Sequence, residues 1–194
     1  MPLTLDSVAQ LLKQQTLTRH TEAETLLLPH LSGISDMETY ASLLRMYYGF
    51  FHPLEKQIQE LLSSDDLADI RLRRNSRLLI EDLSALPVAF AYPAICYQLP
   101  VLQTKAQAFG ALYVAEGSSL GGRVIAKMLL KNPGLSISHR QLNYFNGYGD
   151  QTGIRWTELL QVLNAQEEAG PIVEAANDTF LQFENWIKAS LAHD

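Results

Sequence analysis

Apolar residues recur along most of the chain at the three-to-four-residue spacing of helices that bury one face. SVAQLLKQQTLTRHTEAETLLL opens after two possible caps, Asp6 and Ser7, and holds that spacing to its end. The pattern predicts helices over about 5–29, 36–62, 66–84, 103–131, 154–168 and 171–191. Pro53 should kink or divide the second of these, because it has no N–H and its ring crowds the preceding turn. Pro87, Pro93 and Pro100 punctuate LPVAFAYPAICYQLP, which reads as a loop or a short helical turn rather than a strand, since it has no partner to pair with. Asn132-Pro133-Gly134 ends the fourth long helix, and NGYGDQTG is a glycine-rich turn leading to Trp156. No internal repeat or low-complexity segment interrupts this organisation. The expectation is an all-α chain forming a single domain over 1–194.

The fourth helix carries an unusual load of glycine. Gly110, Gly117, Gly121 and Gly122 all fall within AFGALYVAEGSSLGGRVIAKMLLK, and each is about 1 kcal/mol less favourable than alanine inside a helix. At 100° per residue, Gly110, Gly117 and Gly121 project within about 40° of one another. That clears a stripe of side chains and bares backbone to something flat or bulky. Close helix packing uses the same spacing, so the glycines alone leave both readings open; they also invite a bend.

On the first helix, Thr16 and Glu24 lie four residues to either side of His20 on one face. Lys13 is seven residues before His20, about 20° off and about 10 Å along the axis. An imidazole that ligates a metal through one ring nitrogen needs an acceptor for the N–H of the other, and Glu24 can provide it directly or through water. Taken singly, His20 also reads as an ordinary partly buried histidine and Lys13 as a solvated charge. His30, His52, His139 and His193 form no HExxH or comparable spacing. There is likewise no Cys-His or Gly-x-Ser-x-Gly nucleophile pattern.

LLKQQTLTRHTEAE resembles the proximal helix of heme oxygenases, and YVAEGSSLGGRVI resembles their distal helix. TYASLLRMYYGFFHPLE is similar to a segment of bacterial members, especially those associated with bacterial phytochromes, and NYFNGYGDQTGIRWTELLQVLN and NDTFLQFENWI resemble the late helices. The resemblance spans nearly the whole chain in the right order. It implies a helical bundle with heme held between the N-terminal proximal helix and a glycine-kinked distal helix. His20 is then the proximal ligand to heme iron, with Glu24 behind it, while Gly117, Gly121 and Gly122 lie over the opposite face. Lys13 and Tyr113 match positions that contact heme propionates, and Phe180 and Phe183 match the aromatic helix closing one side of the pocket. For any such aromatic pair on an apolar helix, ordinary core packing is the commoner reading.

Two departures from the family pattern stand out. Ser118 occupies the place of an aspartate that organises distal water in mammalian heme oxygenases; some bacterial members manage without it. Serine can hold water but carries no charge. Gln161 and Thr157 fall near basic residues that reach the propionates in mammalian members, which leaves Arg155 or Arg123 as substitutes. The implied reaction cleaves heme to biliverdin, carbon monoxide and ferrous iron, using O2 and an external electron donor. A ferredoxin or a reductase would supply the electrons, because no flavin or nicotinamide fingerprint is present. A bacteriophytochrome is a potential recipient of the biliverdin. The alternative class is a heme-binding protein that stores, carries or senses heme without turnover. Thiamine-degrading enzymes share the architecture but not the histidine and glycine motifs.

Composition narrows the field further. The chain has 194 residues, 47% of them hydrophobic, enough for one substantial core. A net charge of −6 gives no basic footprint for nucleic acid, and RLRRNSR at 71–77 reads as the solvated face of a helix. Cys96 is the single cysteine, so no intrachain disulfide can form. MPLTLDSVAQ has neither a basic region nor an apolar core of a leader, KASLAHD is too short for an anchor, and no apolar run reaches the roughly 20 residues that span a bilayer. A cytoplasmic monomer without membrane contact is the default expectation.

Overall fold

The computed structural model describes residues 6–191, so the expected helix start at residue 5, and His193, lie outside the described residues. Helix α1 (Val8–Gln15) begins with a reciprocal cap: the Ser7 hydroxyl accepts the Gln10 N–H, and the Gln10 side chain accepts the Ser7 N–H at 2.8 Å. Helix α2 (Leu17–Gly33) follows after Thr16 alone. The first predicted helix is therefore two segments, and the reason is local. The Thr16 hydroxyl donates to Leu12 O at 2.8 Å, a back-bond that bends helices. The main-chain ladder nevertheless continues through Leu12 O to Thr16 N and Thr16 O to His20 N. Helix α2 also runs through Pro29 to Gly33, so His30 lies in its last turn and not beyond its end.

Helix α3 (Met37–Leu61) contains Pro53 and remains one element, contrary to expectation. Proline at 53 leaves the carbonyl of Gly49 without its helical donor. Gly49 O instead accepts the Cys96 N–H at 2.9 Å, so the irregular 87–103 connection supplies the missing bond. That close approach is why residue 49 is glycine: a Cβ there would strike Ala94 O and the Trp186 ring. The helix expected over 66–84 is the largest departure. A 3₁₀ turn at Ile70–Leu72 precedes extended backbone at Arg73 (φ −70°, ψ 156°), and only Arg77–Ser84 is α-helical, as α4. The break turns Arg73 and Arg74 inward, and RLRRNSR is not a solvated face.

Helix α5 (Lys105–Leu130) runs unbroken through its glycines. Buried Asp82 caps the short α6 (Asn143–Asn146), accepting the N–H groups of Asn143 and Tyr144, both at 2.9 Å. Gly147 and Gly149 then take φ values of 54° and 58°, left-handed backbone suited to glycine, before α7 (Thr152–Asn164) and α8 (Ala169–Leu191). Helix α8 lies along α5 and touches α1, α2 and α3. Tyr47, Phe50, Phe51, Tyr144, Phe145 and Phe183 form an aromatic centre where α3, α6 and α8 meet. Full burial of a side chain such as Phe contributes about 1.5–3 kcal/mol. All regular structure among the described residues is helical.

Candidate functional site

The glycines of α5 divide by what surrounds them. A Cβ on Gly110 would collide with Ile172 O of α8, and one on Gly122 would stand 2.8 Å from Phe145 O of α6. Both residues are buried, so these positions serve close packing, and at Gly122 the direction of a side chain is toward α6. A Cβ on Gly121 would meet nothing within 4 Å, and one on Gly117 only the edge of Trp156 at 3.5 Å. Gly117, Gly121, Val124 and Met128 project within about 60° of one another. Val124 is 70% exposed, and Met128 and the neighbouring Leu120 are exposed as well. From Gly117 to Met128 this side of α5 is thus an apolar stripe, bordered by Trp156 at Gly117 and open at Gly121 among the described residues.

Helix α2 presents the complementary chemistry. His20 has half its side chain exposed, and Glu24 Oε1 lies 3.6 Å from one ring nitrogen. That is just beyond hydrogen-bond range, so a small rotation or one water brings the carboxylate to the imidazole N–H. Phe180 of α8 packs edge-on against the His20 ring, with centroids 5.6 Å apart. Phe183 points elsewhere, into the aromatic centre beside Tyr47, Phe50 and Phe51, so the two phenyl groups do not share a face. Tyr113, one turn before Gly117, is partly buried on α5. Burial raises the Tyr113 pKa, and the contact with Thr16 lowers it. Its ring packs on Trp156 of α7, which also borders Gly117. Lys13 is exposed on α1, with the Thr16 junction between it and His20.

Behind α5 lies a polar network that sequence reasoning missed. Arg73, 2% exposed along its side chain, pairs with Glu116 at 2.9 Å and with Asp69 at 3.0 Å. Asp69 also takes Arg155 at 2.6 Å, and Tyr148 donates to Glu116. Arg74 donates to Ala115 O at 2.7 Å and to the Ser118 hydroxyl, which itself donates to Ala115 O at 2.7 Å. The only advance sign was Glu116, an acidic residue inside an apolar helix. Of the two arginines considered as propionate partners, Arg155 is committed to this network, while Arg123 is exposed and only loosely paired with Asp150 at 3.5 Å.

Helices α2 and α5 both pack along α8, with Phe180 beside His20 and Trp156 beside Gly117 and Tyr113. The stripe on α5 is bare enough for a flat, largely apolar ring, and the exposed imidazole can supply a nitrogen ligand to a metal. Among the described residues no cluster of His, Cys, Asp or Glu could hold a bare metal ion, and no helix is long and apolar enough to cross a membrane. The exposed His20 and the bare stripe of α5 are the candidate site of this all-helical chain.

The family model for heme oxygenases matches residues 6–189. A heme oxygenase of Xanthomonas campestris pv. campestris (strain 8004) is 37% identical over 134 residues, covering 68% of this chain and 75% of that protein. The fold is similar to that of the NO- and CO-bound heme oxygenase from Neisseria meningitidis (TM-score 0.74, 18% identity, 97% of this chain and 94% of that one). It is equally similar to heme oxygenase from Leptospira interrogans (TM-score 0.73, 16% identity, 95% and 100%). The chain belongs to the heme oxygenase family, a family of oxidoreductases.

Proposed function

We propose that heme binds between α2 and α5 with His20 as its one protein ligand, and is cleaved to biliverdin, carbon monoxide and ferrous iron. The observation that carries this reading is the bare stripe at Gly117 and Gly121, on a helix that packs along α8 as the His20 helix does. Heme, as substrate, supplies the redox electronics when bound. The protein's share is placement. His20 fixes the iron, Glu24 orients the imidazole, and Phe180 holds the ring edge-on. Gly117 and Gly121 leave the opposite iron position free of side chains, where O2 enters.

Ser118 has a defined hydrogen-bonding role. Its proton goes to Ala115 O and Arg74 donates to its oxygen, so its remaining lone pair accepts from water and it does not act as an acid by itself. Arg74 brings positive charge close to this position, where mammalian relatives carry an aspartate. Lys13 is the cation placed to reach a propionate, with Tyr113 a weaker partner. Electrons come from a separate ferredoxin or reductase, and a bacteriophytochrome is a fitting acceptor for the biliverdin. The test is hemin titration followed by ascorbate or a ferredoxin system in air. Loss of the heme absorption with release of biliverdin and carbon monoxide is expected; stable hemin under those conditions would mean a binding protein without turnover.

A further inference from the structure

A cavity of about 790 Å³ opens where the ends of α2 and α8 meet the first half of α3 and the 87–103 connection. None of the residues proposed to hold heme borders it: its His30 lies ten residues, about 15 Å, beyond His20 along α2. The walls are mainly apolar, formed by Ile34, Leu43, Met46, Ile95 and the Trp186 ring. Trp186 already gives its N–H to Met46 O at 2.8 Å, so the indole stands there as a fixed, flat surface. Both the volume and the lining match the sites that take small organic molecules, which run to about 300–1,000 Å³ with apolar walls and a few placed polar groups.

One charged side chain in this wall is short of acceptors. Arg45 lines the cavity with only 21% of its side chain exposed. Its Nη1 donates to Glu38 at 2.8 Å, but Nη2 reaches Ala89 O only at 3.4 Å, and Nε is buried without a hydrogen-bond partner among the described residues. Leaving such a donor unmade costs about 1–3 kcal/mol. Glu38 does not remove that cost: it occupies Nη1 alone, and its own side chain is 60% exposed, so the pair lies toward solvent. The edge formed by Nε and Nη2 is the unsatisfied part of the guanidinium.

We propose that this cavity is a second ligand site, which binds a small molecule combining an apolar ring system with one carboxylate, the carboxylate on Arg45 and the rings against Trp186, Met46 and Ile95. A carboxylate takes two parallel N–H bonds from one edge of a guanidinium. A small rotation of the Arg45 side chain brings Nε and Nη2 to it together, while Nη1 keeps Glu38. A neutral ring compound would fill the same space and leave that edge unsatisfied. A dianionic phosphate is disfavoured, because Arg45 is the one permanent cation on the cavity and Glu38 stands beside it; His30 is the other ionisable group at its border among the described residues. The site is independent of what binds between α2 and α5.

Equilibrium dialysis with 1-naphthaleneacetate, before and after addition of hemin, tests this. Wild type should bind one equivalent, with the same affinity in the presence of hemin and in His20→Ala. 2-(1-Naphthyl)ethanol keeps the rings and replaces the carboxylate by a hydroxyl, and should bind about 10-fold more weakly. Arg45→Gln should lose that preference and bind the two probes alike. A Cβ at Gly33, on the cavity wall, meets nothing within 4 Å, so Gly33→Leu should fold normally, narrow the cavity and weaken both probes. It decides the matter if Arg45→Gln does not fold. No binding by wild type, displacement of the probe by hemin, equal affinity of wild type for the two probes, or wild-type binding in Arg45→Gln or Gly33→Leu overturns the proposal.

Discussion

The packed and the open regions of α5 use similar residues for opposite ends. Toward α6 and α8, Gly110 and Gly122 let backbones approach so closely that no side chain fits, and Glu116 is locked to Arg73 and Tyr148. Toward the cleft, Gly117 and Gly121 face open space beside exposed Val124 and Met128. A glycine packed against backbone stabilises the fold, while a glycine facing nothing lowers helix stability and is explained only by what has to lie there. The rigid back also holds the open front in place, because Arg74 reaches past the network to Ala115 O and Ser118.

Substitutions on each side should separate these roles. Glu116→Ala would strand Arg73 in the interior, and breaking a buried pair in this way is expected to lower stability by about 3–5 kcal/mol. Gly110→Ala and Gly122→Ala should follow at roughly 1–3 kcal/mol, since backbone carbonyls must shift to admit the methyl group. Gly121→Ala should instead raise stability by on the order of 0.5–1 kcal/mol and slow heme turnover. Urea unfolding of the hemin-free proteins and biliverdin yield give both quantities. Equal destabilisation at Gly110 and Gly121, or full biliverdin yield from Gly117→Ala and Gly121→Ala, would erase the distinction between the packed and the open regions.

Much of this contrast was readable from the chain, but not the part that depends on distant partners. The periodicity of α3, α5 and α8 is long enough to mark them within a few residues, and His20, Gly117 and Gly121 stood out because their residue types are costly or unusual in those helices. Pro53 misled because its helix survives on a hydrogen bond from Cys96, more than forty residues away in sequence. The run RLRRNSR misled for a related reason: its charges look solvated until Glu116, Asp69 and Ala115 O are brought beside them. Gly110 could not be told from Gly121 by angle alone, since only the position of Ile172 distinguishes them.

The smallest expected effect concerns the cleft's rim. Lys13 stands across the Thr16 junction from His20, and an exposed ammonium holding a propionate adds little net stability. Heme has a nearly symmetric outline, so losing an anchor permits in-plane rotation. Lys13→Ala should bind hemin slightly more weakly and shift the mixture of biliverdin isomers on chromatography, with Tyr113→Phe moving it less in the same direction. An unchanged isomer pattern in both variants would assign the propionates to other partners, with Arg123 the next to mutate.

The central claim is that His20 holds the iron opposite the open face of α5. Absorption spectroscopy of the hemin complexes of wild type and His20→Ala tests it most directly. The expected result is a histidine-ligated heme spectrum in wild type, and in the variant continued hemin binding in the apolar cleft with that spectrum and most turnover lost. A His20→Ala protein that keeps both the wild-type spectrum and wild-type biliverdin production would contradict the account.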